Sequence, residues 1–179
     1  MEYKILITGT MGAGKTTAIQ QVSDSPAVLT DVHNTRQDES AKPTTTAAFD
    51  FGELALGEGD CLRIYGTPGQ ERFSFMWPIL ARGAIGIIYL VDATRESPID
   101  DLDSFIKAFG ESSGAIPSVV GLNKCSDENS YLAPAIQDYL DSKGLQWPVL
   151  LTDVRERSEV LELFEILISL NEALVMEQA

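Results

Sequence analysis

Only two cysteines, Cys61 and Cys125, occur in 179 residues, one inside an apolar, strand-like run and the other in a polar loop. They are too few and too scattered for a disulfide framework, and a reducing cytoplasm is the compartment they fit. Histidine is scarcer: His33 stands alone in a polar stretch and reads as an ordinary exposed residue. Cations are also short, since 13 Lys and Arg face 27 Asp and Glu for a net charge of −14. Such a surface repels polyanions, which makes nucleic acid and anionic membrane poor partners, although the charge serves solvation equally well. No apolar run approaches the roughly 18 residues of a membrane span. No basic-then-apolar leader precedes the first strand, Glu2 is incompatible with myristoylation, and Val175-Met176-Glu177-Gln178-Ala179 is no prenylation signal, so the expectation is that there is no direct membrane anchor. Internal repeats, low-complexity tracts and linkers are likewise missing, and the length suits one α/β domain over 1–179.

What is present begins with Gly9-Thr10-Met11-Gly12-Ala13-Gly14-Lys15-Thr16, which fits G-x-x-x-x-G-K-[ST] and follows directly on the apolar run Ile5-Leu6-Ile7. Strand, glycine-rich loop, then helix is the context in which this pattern cradles phosphate. Glycines permit positive φ, so successive N–H groups can point at one anion at a helix N-terminus. Lys15 then reaches β- and γ-phosphate oxygens and the Thr16 hydroxyl ligates Mg²⁺. The candidate phosphate-binding set is Gly12, Ala13, Gly14, Lys15, Thr16 and Thr17. A glycine-rich strand-to-helix turn without ligand is the plain alternative.

The helix opened by Lys15 is expected to stop near Ser23-Asp24-Ser25-Pro26. Thr30 to Thr46 offers almost nothing to bury and is long for a loop in a compact domain. A strand is expected from Ala47 to Leu56, a turn at Gly57-Glu58-Gly59-Asp60 and an antiparallel return from Cys61 to Tyr65, at the sheet edge. Gly66-Thr67-Pro68-Gly69-Gln70-Glu71-Arg72-Phe73 reads as irregular loop. Thereafter strand and helix alternate: strands at 84–91, 118–122 and 149–151, helices at 99–109, 132–142 and 157–176, the pattern of a parallel sheet. In the last helix Val160, Leu161, Phe164, Leu167, Ile168 and Leu170 recur at helical spacing and are expected in the core.

Phosphate loop, Thr-bearing polar loop, Gly-Gln-Glu-Arg-Phe and then Asn-Lys near a strand end together resemble the Ras-like small GTPases over nearly the whole chain. Phe-Asp-Phe-Gly after the Thr run and Gly-Thr-Pro-Gly-Gln-Glu-Arg-Phe resemble their prokaryotic branch, whose members often work with Roadblock-type proteins. The resemblance implies a P-loop NTPase fold, a six-stranded, mostly parallel α/β sheet with helices on both faces. It further implies a switch that binds GTP or GDP with Mg²⁺, hydrolyses GTP slowly, and answers to a regulatory or effector protein. Its two switch loops fall near 30–46 and 66–76. A Thr of the first would ligate Mg²⁺; counting back from Phe49-Asp50-Phe51 favours Thr46, with Thr45 the alternative. In the second, the Gly69 N–H faces the γ-phosphate and Gln70 orients the attacking water, with Lys15 assisting catalysis. Arg36 is a candidate arginine finger in cis. Asn123 fixes the base loop, the Lys124 stem packs on the base, and a carboxylate accepts two N–H bonds from guanine.

Two positions depart from the pattern. Gly66 stands where an Asp holds a Mg²⁺-bound water, which puts hydrolysis rather than binding in question. In Asn123-Lys124-Cys125-Ser126-Asp127 the Asp comes one residue late: either a bulge lets Asp127 reach the base, or Ser126 fills the position and guanine selectivity weakens. A backbone N–H at Asp153 or Val154 completes the base contacts. Alternatives are a nucleotide-bound scaffold that never turns over, a less selective nucleotide-binding protein, and a small-metabolite kinase; the last usually needs an Arg-rich lid, which the basic residues here do not form.

Overall fold

The computed structural model describes residues 1–24, 50–110 and 116–177. Thr44, Thr45, Thr46, His33 and Arg36, and the first three residues of the strand expected from Ala47, lie outside the described residues. Six strands, β1 (Glu2–Thr8), β2 (Asp50–Gly57), β3 (Asp60–Gly66), β4 (Gly86–Asp92), β5 (Ser118–Asn123) and β6 (Val149–Thr152), form one sheet in the order β2-β3-β1-β4-β5-β6. Every pairing is parallel except β2 with β3, so the expected hairpin sits at the sheet edge. Among the described residues five α-helices accompany it: α1 (Lys15–Val22), α2 (Trp77–Ala81), α3 (Pro98–Phe109), α4 (Leu132–Ser142) and α5 (Arg157–Glu177).

Period-two alternation assigns each strand residue to a layer. Ile5, Ile7, Ile88 and Leu90 meet Ile19 and Val22 of α1 and Val160, Leu163, Phe164 and Leu167 of α5. Leu6, Ile87, Tyr89 and Val91 meet Trp77 of α2, Leu102, Phe105 and Phe109 of α3, and Ile136 and Leu140 of α4. Both faces are therefore covered, which is why the central strands are continuous apolar runs rather than alternating ones. Each fully buried Ile or Leu contributes about 1.5–3 kcal/mol. In α5, Val160, Phe164 and Leu167 are buried as expected, while Leu161, Ile168 and Leu170 are only half-buried and Leu163 takes the remaining seat.

The ends of the elements around the second loop differ from the sequence reading. Gly66 is the last residue of β3, because it still pairs with Ile7 on one side and Asp50 on the other. Irregular chain ends at Gln70, since a 3-10 turn runs from Glu71 to Met76, begun by a bond from the Phe73 N–H to the Gln70 carbonyl. The carboxyl ends of β1, β3, β5 and β6 lie along one edge of the sheet. The strand order reverses beside β1, and a crevice at such a reversal is where open α/β sheets bind ligands.

Candidate functional site

Residues 9–14 leave β1 with Gly9, Gly12 and Gly14 all at positive φ (145°, 83° and 105°). Gly14 also needs its missing side chain, because a Cβ there would come within 2.7 Å of Asn123 Nδ2 and of Val154 Cγ2. The loop thus rests against the ends of β5 and β6. Helix α1 follows with no side-chain cap at its N-terminus, which leaves its first amides for an anion. Lys15 folds back, its Nζ donating to the carbonyls of Gly9 and Thr10 at 2.8 Å each. Burial lowers its pKa from 10.5 to about 8, against the opposing pull of the Asp50 carboxylate.

The second loop is fastened to the first. Thr67 and Thr8 share a hydroxyl–hydroxyl bond of 2.8 Å, and the Trp77 indole donates to the Pro68 carbonyl at 2.9 Å. Trp77 is itself stacked on Phe105 at 4.2 Å between ring centres. Gly69 lies so close to the phosphate loop that a Cβ on it would sit 2.5 Å from the Met11 nitrogen and 2.7 Å from Lys15 Nζ. Two loops 54 to 59 residues apart in sequence therefore converge on one ammonium. Exposed Gln70 is beside them, its Nε2 3.9 Å from Met11 Sδ.

One residue was missed by sequence reasoning. Asp50, the cross-strand partner of Gly66, accepts a hydrogen bond from the Thr16 hydroxyl. A Cβ on Gly66 would stand 3.2 Å from Asp50 Cβ and 3.0 Å from Ile19 Cδ1. A side chain at 66 and the carboxylate at 50 thus compete for the same space. Asp50 brings to Thr16 the acid that position 66 lacks. The signal was present in Phe49-Asp50-Phe51, an acid between two aromatics in the sequence, but only the register shows where it points. Thr16 and Asp50 are hard oxygen donors, suited to a Mg²⁺ completed by phosphate oxygens and water. Among the described residues no group of three His, Cys, Asp or Glu could hold a metal by itself.

At the other end a cleft of about 650 Å³ is lined by Gly12, Gly14, Thr17, Asn123–Cys125 and Leu151–Arg155, with Glu159. Asn123 Nδ2 donates to the Ala13 carbonyl at 2.9 Å, and its Oδ1 accepts from the N–H of Lys124 at 2.9 Å and of Val154 at 3.4 Å. Lys124 Nζ donates to the Gly12 carbonyl at 2.8 Å and to Asp92 at 2.6 Å. Burial pushes the Asp92 carboxyl up, but bonds from Lys124 and Thr94 more than offset this and hold it below its ordinary range. Gly12, Ala13, Gly14, Lys15, Thr16, Thr17, Gly69, Asn123 and Lys124 are thus brought together. Asp127 is not: it is exposed, opens a 3-10 turn capped by Ser126 and Asn129, and stands outside the residues lining the cleft. The extra residue has gone into that turn, not into a bulge toward the base.

Residues 27–177 match the family described as conserved hypothetical ATP binding protein; the matched stretch begins after the phosphate loop. Among curated relatives, the mouse Ras-related protein Rab-12 is 30% identical over 107 residues, covering 59% of this chain and 40% of the relative. The bovine Ras-related protein Rab-13 is 28% identical over 130 residues, 70% of this chain and 58% of the relative. The rat Ras-related protein Rab-8A is 29% identical over 127 residues, 69% and 56% respectively. The chain thus matches 40 to 58% of the length of these relatives. The doubly covered sheet, the phosphate loop and these likenesses agree on a P-loop α/β fold.

Proposed function

The chain belongs to the family described as conserved hypothetical ATP binding proteins, and from that premise we propose that it is a Ras-like molecular switch that binds GTP and GDP with Mg²⁺ and hydrolyses GTP slowly. The observation that carries this reading is the approach of Gly69 to Lys15 Nζ and the Met11 nitrogen. A γ-phosphate bound by Lys15 must contend with the second loop for the same space, so the loop's position depends on whether that phosphate is there.

In the loaded state Lys15 exchanges its two carbonyl acceptors for phosphate oxygens, a trade of neutral for charge-assisted bonds. Thr16, with Asp50 accepting from its hydroxyl and Thr46 as the candidate from the first switch loop, would hold the Mg²⁺, which would supply neutralisation of charge on the phosphate oxygens. Gln70 accepts from the attacking water and donates to the transferring phosphoryl, a double role open to an amide. Its present exposure fits a group ordered only when the site is filled. Hydrolysis is slow because no arginine lies in residues 9–16, and a partner, for which a Roadblock-type protein is the candidate, supplies or orders what is missing. The prokaryotic branch and the cytoplasm as compartment belong to the same proposal.

Adenine is the competing base, favoured by the family's description; guanine is favoured by the Asn123–Lys124 framework and the Ras-related likenesses. Phosphate release from GTP and ATP by the purified chain tests the proposal. GTP turnover lost in Gln70→Leu with binding retained supports it, whereas binding with no turnover in the parent, alone or with its partner, makes the chain a nucleotide-bound scaffold.

A further inference from the structure

The base end of the cleft contains a carboxylate that the contiguous Asn-Lys pattern does not reveal. Register pairs Asn123 with Thr152, so the chain after β5 and the chain after β6 leave the sheet side by side. The first of these carries Ser126 three residues past Asn123, and the second carries Asp153 one residue past Thr152. The carboxylates lining the cleft are Asp153 and Glu159. Glu159 is engaged, its Oε2 accepting from the Asp153 N–H at 2.6 Å. Asp153 is clamped by Arg155: its Oδ1 accepts from the Arg155 N–H at 3.0 Å and from Nε at 2.8 Å, and its Oδ2 from Nη2 at 2.5 Å. These bonds hold the carboxyl at about 2, fully ionised near neutrality.

Resting on the reading of this cleft as a nucleotide site, we propose that Asp153, not Asp127, selects the base by accepting the N1–H and N2–H bonds of guanine, with Arg155 keeping it oriented until the base arrives. Adenine offers a lone pair at N1 and no amino group at C2, so an ionised acid facing that edge finds no donors and a repelling nitrogen. Arg155 is the group that must give way, and it can do so cheaply, since its side chain is 79% exposed and an exposed ion pair contributes little. The Val154 N–H, adjacent in the chain and now bonded at 3.4 Å to Asn123, is the donor available for guanine O6. One three-residue turn after β6 thereby supplies both halves of the recognition.

The test titrates GDP, ADP and xanthosine diphosphate, each with Mg²⁺, against the parent, Asp153→Asn and Asp127→Asn, all freed of nucleotide. In the parent, two charge-assisted bonds separate GDP from ADP by about a hundredfold or more. In Asp153→Asn the amide oxygen still accepts from N1–H while its NH₂ can donate to the C2 carbonyl of xanthine, so GDP weakens by at least about tenfold and xanthosine diphosphate gains by a similar factor. That gain requires a folded site, so it separates base reading from general damage. Asp127→Asn keeps the parental order. The proposal is overturned if Asp153→Asn retains the parental preference, if Asp127→Asn is the variant that gains xanthine, or if the parent binds GDP and ADP equally. In those three cases the phosphate site still stands; a parent that binds no nucleotide with Mg²⁺ overturns the nucleotide reading and this inference with it.

Discussion

Replacing Asp50 with Asn keeps the shape of the side chain and removes its charge, and the consequences divide between two neighbours. The Thr16 hydroxyl loses an ionised acceptor, and Lys15 loses the carboxylate that opposes the effect of burial on its pKa. A hydrogen bond to a charged group contributes about 1.5–3 kcal/mol, or roughly ten- to hundredfold in an equilibrium constant. Removing the partner of a metal-ligating group costs a similar 10–100-fold in metal affinity. The expected result for Asp50→Asn is therefore a rise of roughly ten- to hundredfold in the Mg²⁺ concentration that half-suppresses GDP release, followed with a fluorescent GDP analogue. Lys15 should titrate below about 8 in the same variant. Geometry adds a stricter test. Gly66→Asp alone forces a side chain against Asp50 and Ile19 and should weaken Mg²⁺ retention or stability, whereas Gly66→Asp with Asp50→Ala moves the acid to the neighbouring strand and should recover part of the loss. Neighbours in contact are non-additive, and that cycle measures by how much. An unchanged Mg²⁺ dependence in Asp50→Asn, or strictly additive losses in the pair, refutes the assignment.

Two further predictions follow from the same contacts. Below about pH 8 Lys15 is protonated with or without nucleotide; between about 8 and 10.5 the free folded protein releases that proton while the phosphate-bound form keeps it. Binding then takes up a proton, and GDP affinity should fall by up to about tenfold per pH unit across that window, a dependence absent in Lys15→Ala. The nucleotide-free fold moves oppositely, gaining stability there because the unfolded chain still holds the proton; thermal melting against pH checks the sign. Trp77→Phe preserves most of the packing on Phe105 but removes the donor to Pro68, so stability should drop by about 1–3 kcal/mol in denaturant titration, with faster amide exchange at 67–70; Trp77→Ala, a large-to-small change in the core, should cost about 3–5 kcal/mol.

The phosphate loop was legible from the sequence because its chemistry is contiguous: Gly9 to Thr16 places every amide, the ammonium and the hydroxyl within one strand-to-helix turn. The sheet was legible for a related reason, since Ile5-Leu6-Ile7 and the apolar run through Ile87 and Val91 declare strands buried on both faces. In α5 helical spacing found the stripe but not its width, so Leu163 was passed over while Ile168 and Leu170 were placed too deep. Gly66 was read as loop because two glycines and a proline follow one another there, yet its backbone pairs on both sides and the ladder prevails over local propensity. None of these differences moves a residue that touches the phosphate loop.

The two departures from the contiguous pattern were visible as losses, and their compensations were not, for one physical reason. A carboxylate missing at Gly66 and a carboxylate missing at position 126 each leave a hydroxyl or a base without its acceptor. In each case an acid stands on the next strand or just past its end: Asp50 opposite Gly66 across the antiparallel pair, and Asp153 one residue beyond Thr152, the partner of Asn123. A sheet brings cross-strand partners such as Gly66 and Asp50 within about 5 Å of each other whatever their separation in sequence, so an acid can change strands without leaving the site. Close packing couples the two positions at the first site, because a Cβ at 66 would stand 3.2 Å from Asp50 Cβ, tighter than an ordinary contact. A motif scan along the chain registers only the loss. The register of two strand pairs is what turns it into a relocation, and it makes Asp50 and Asp153, rather than Gly66 and Asp127, the positions at which metal retention and base choice should respond to substitution.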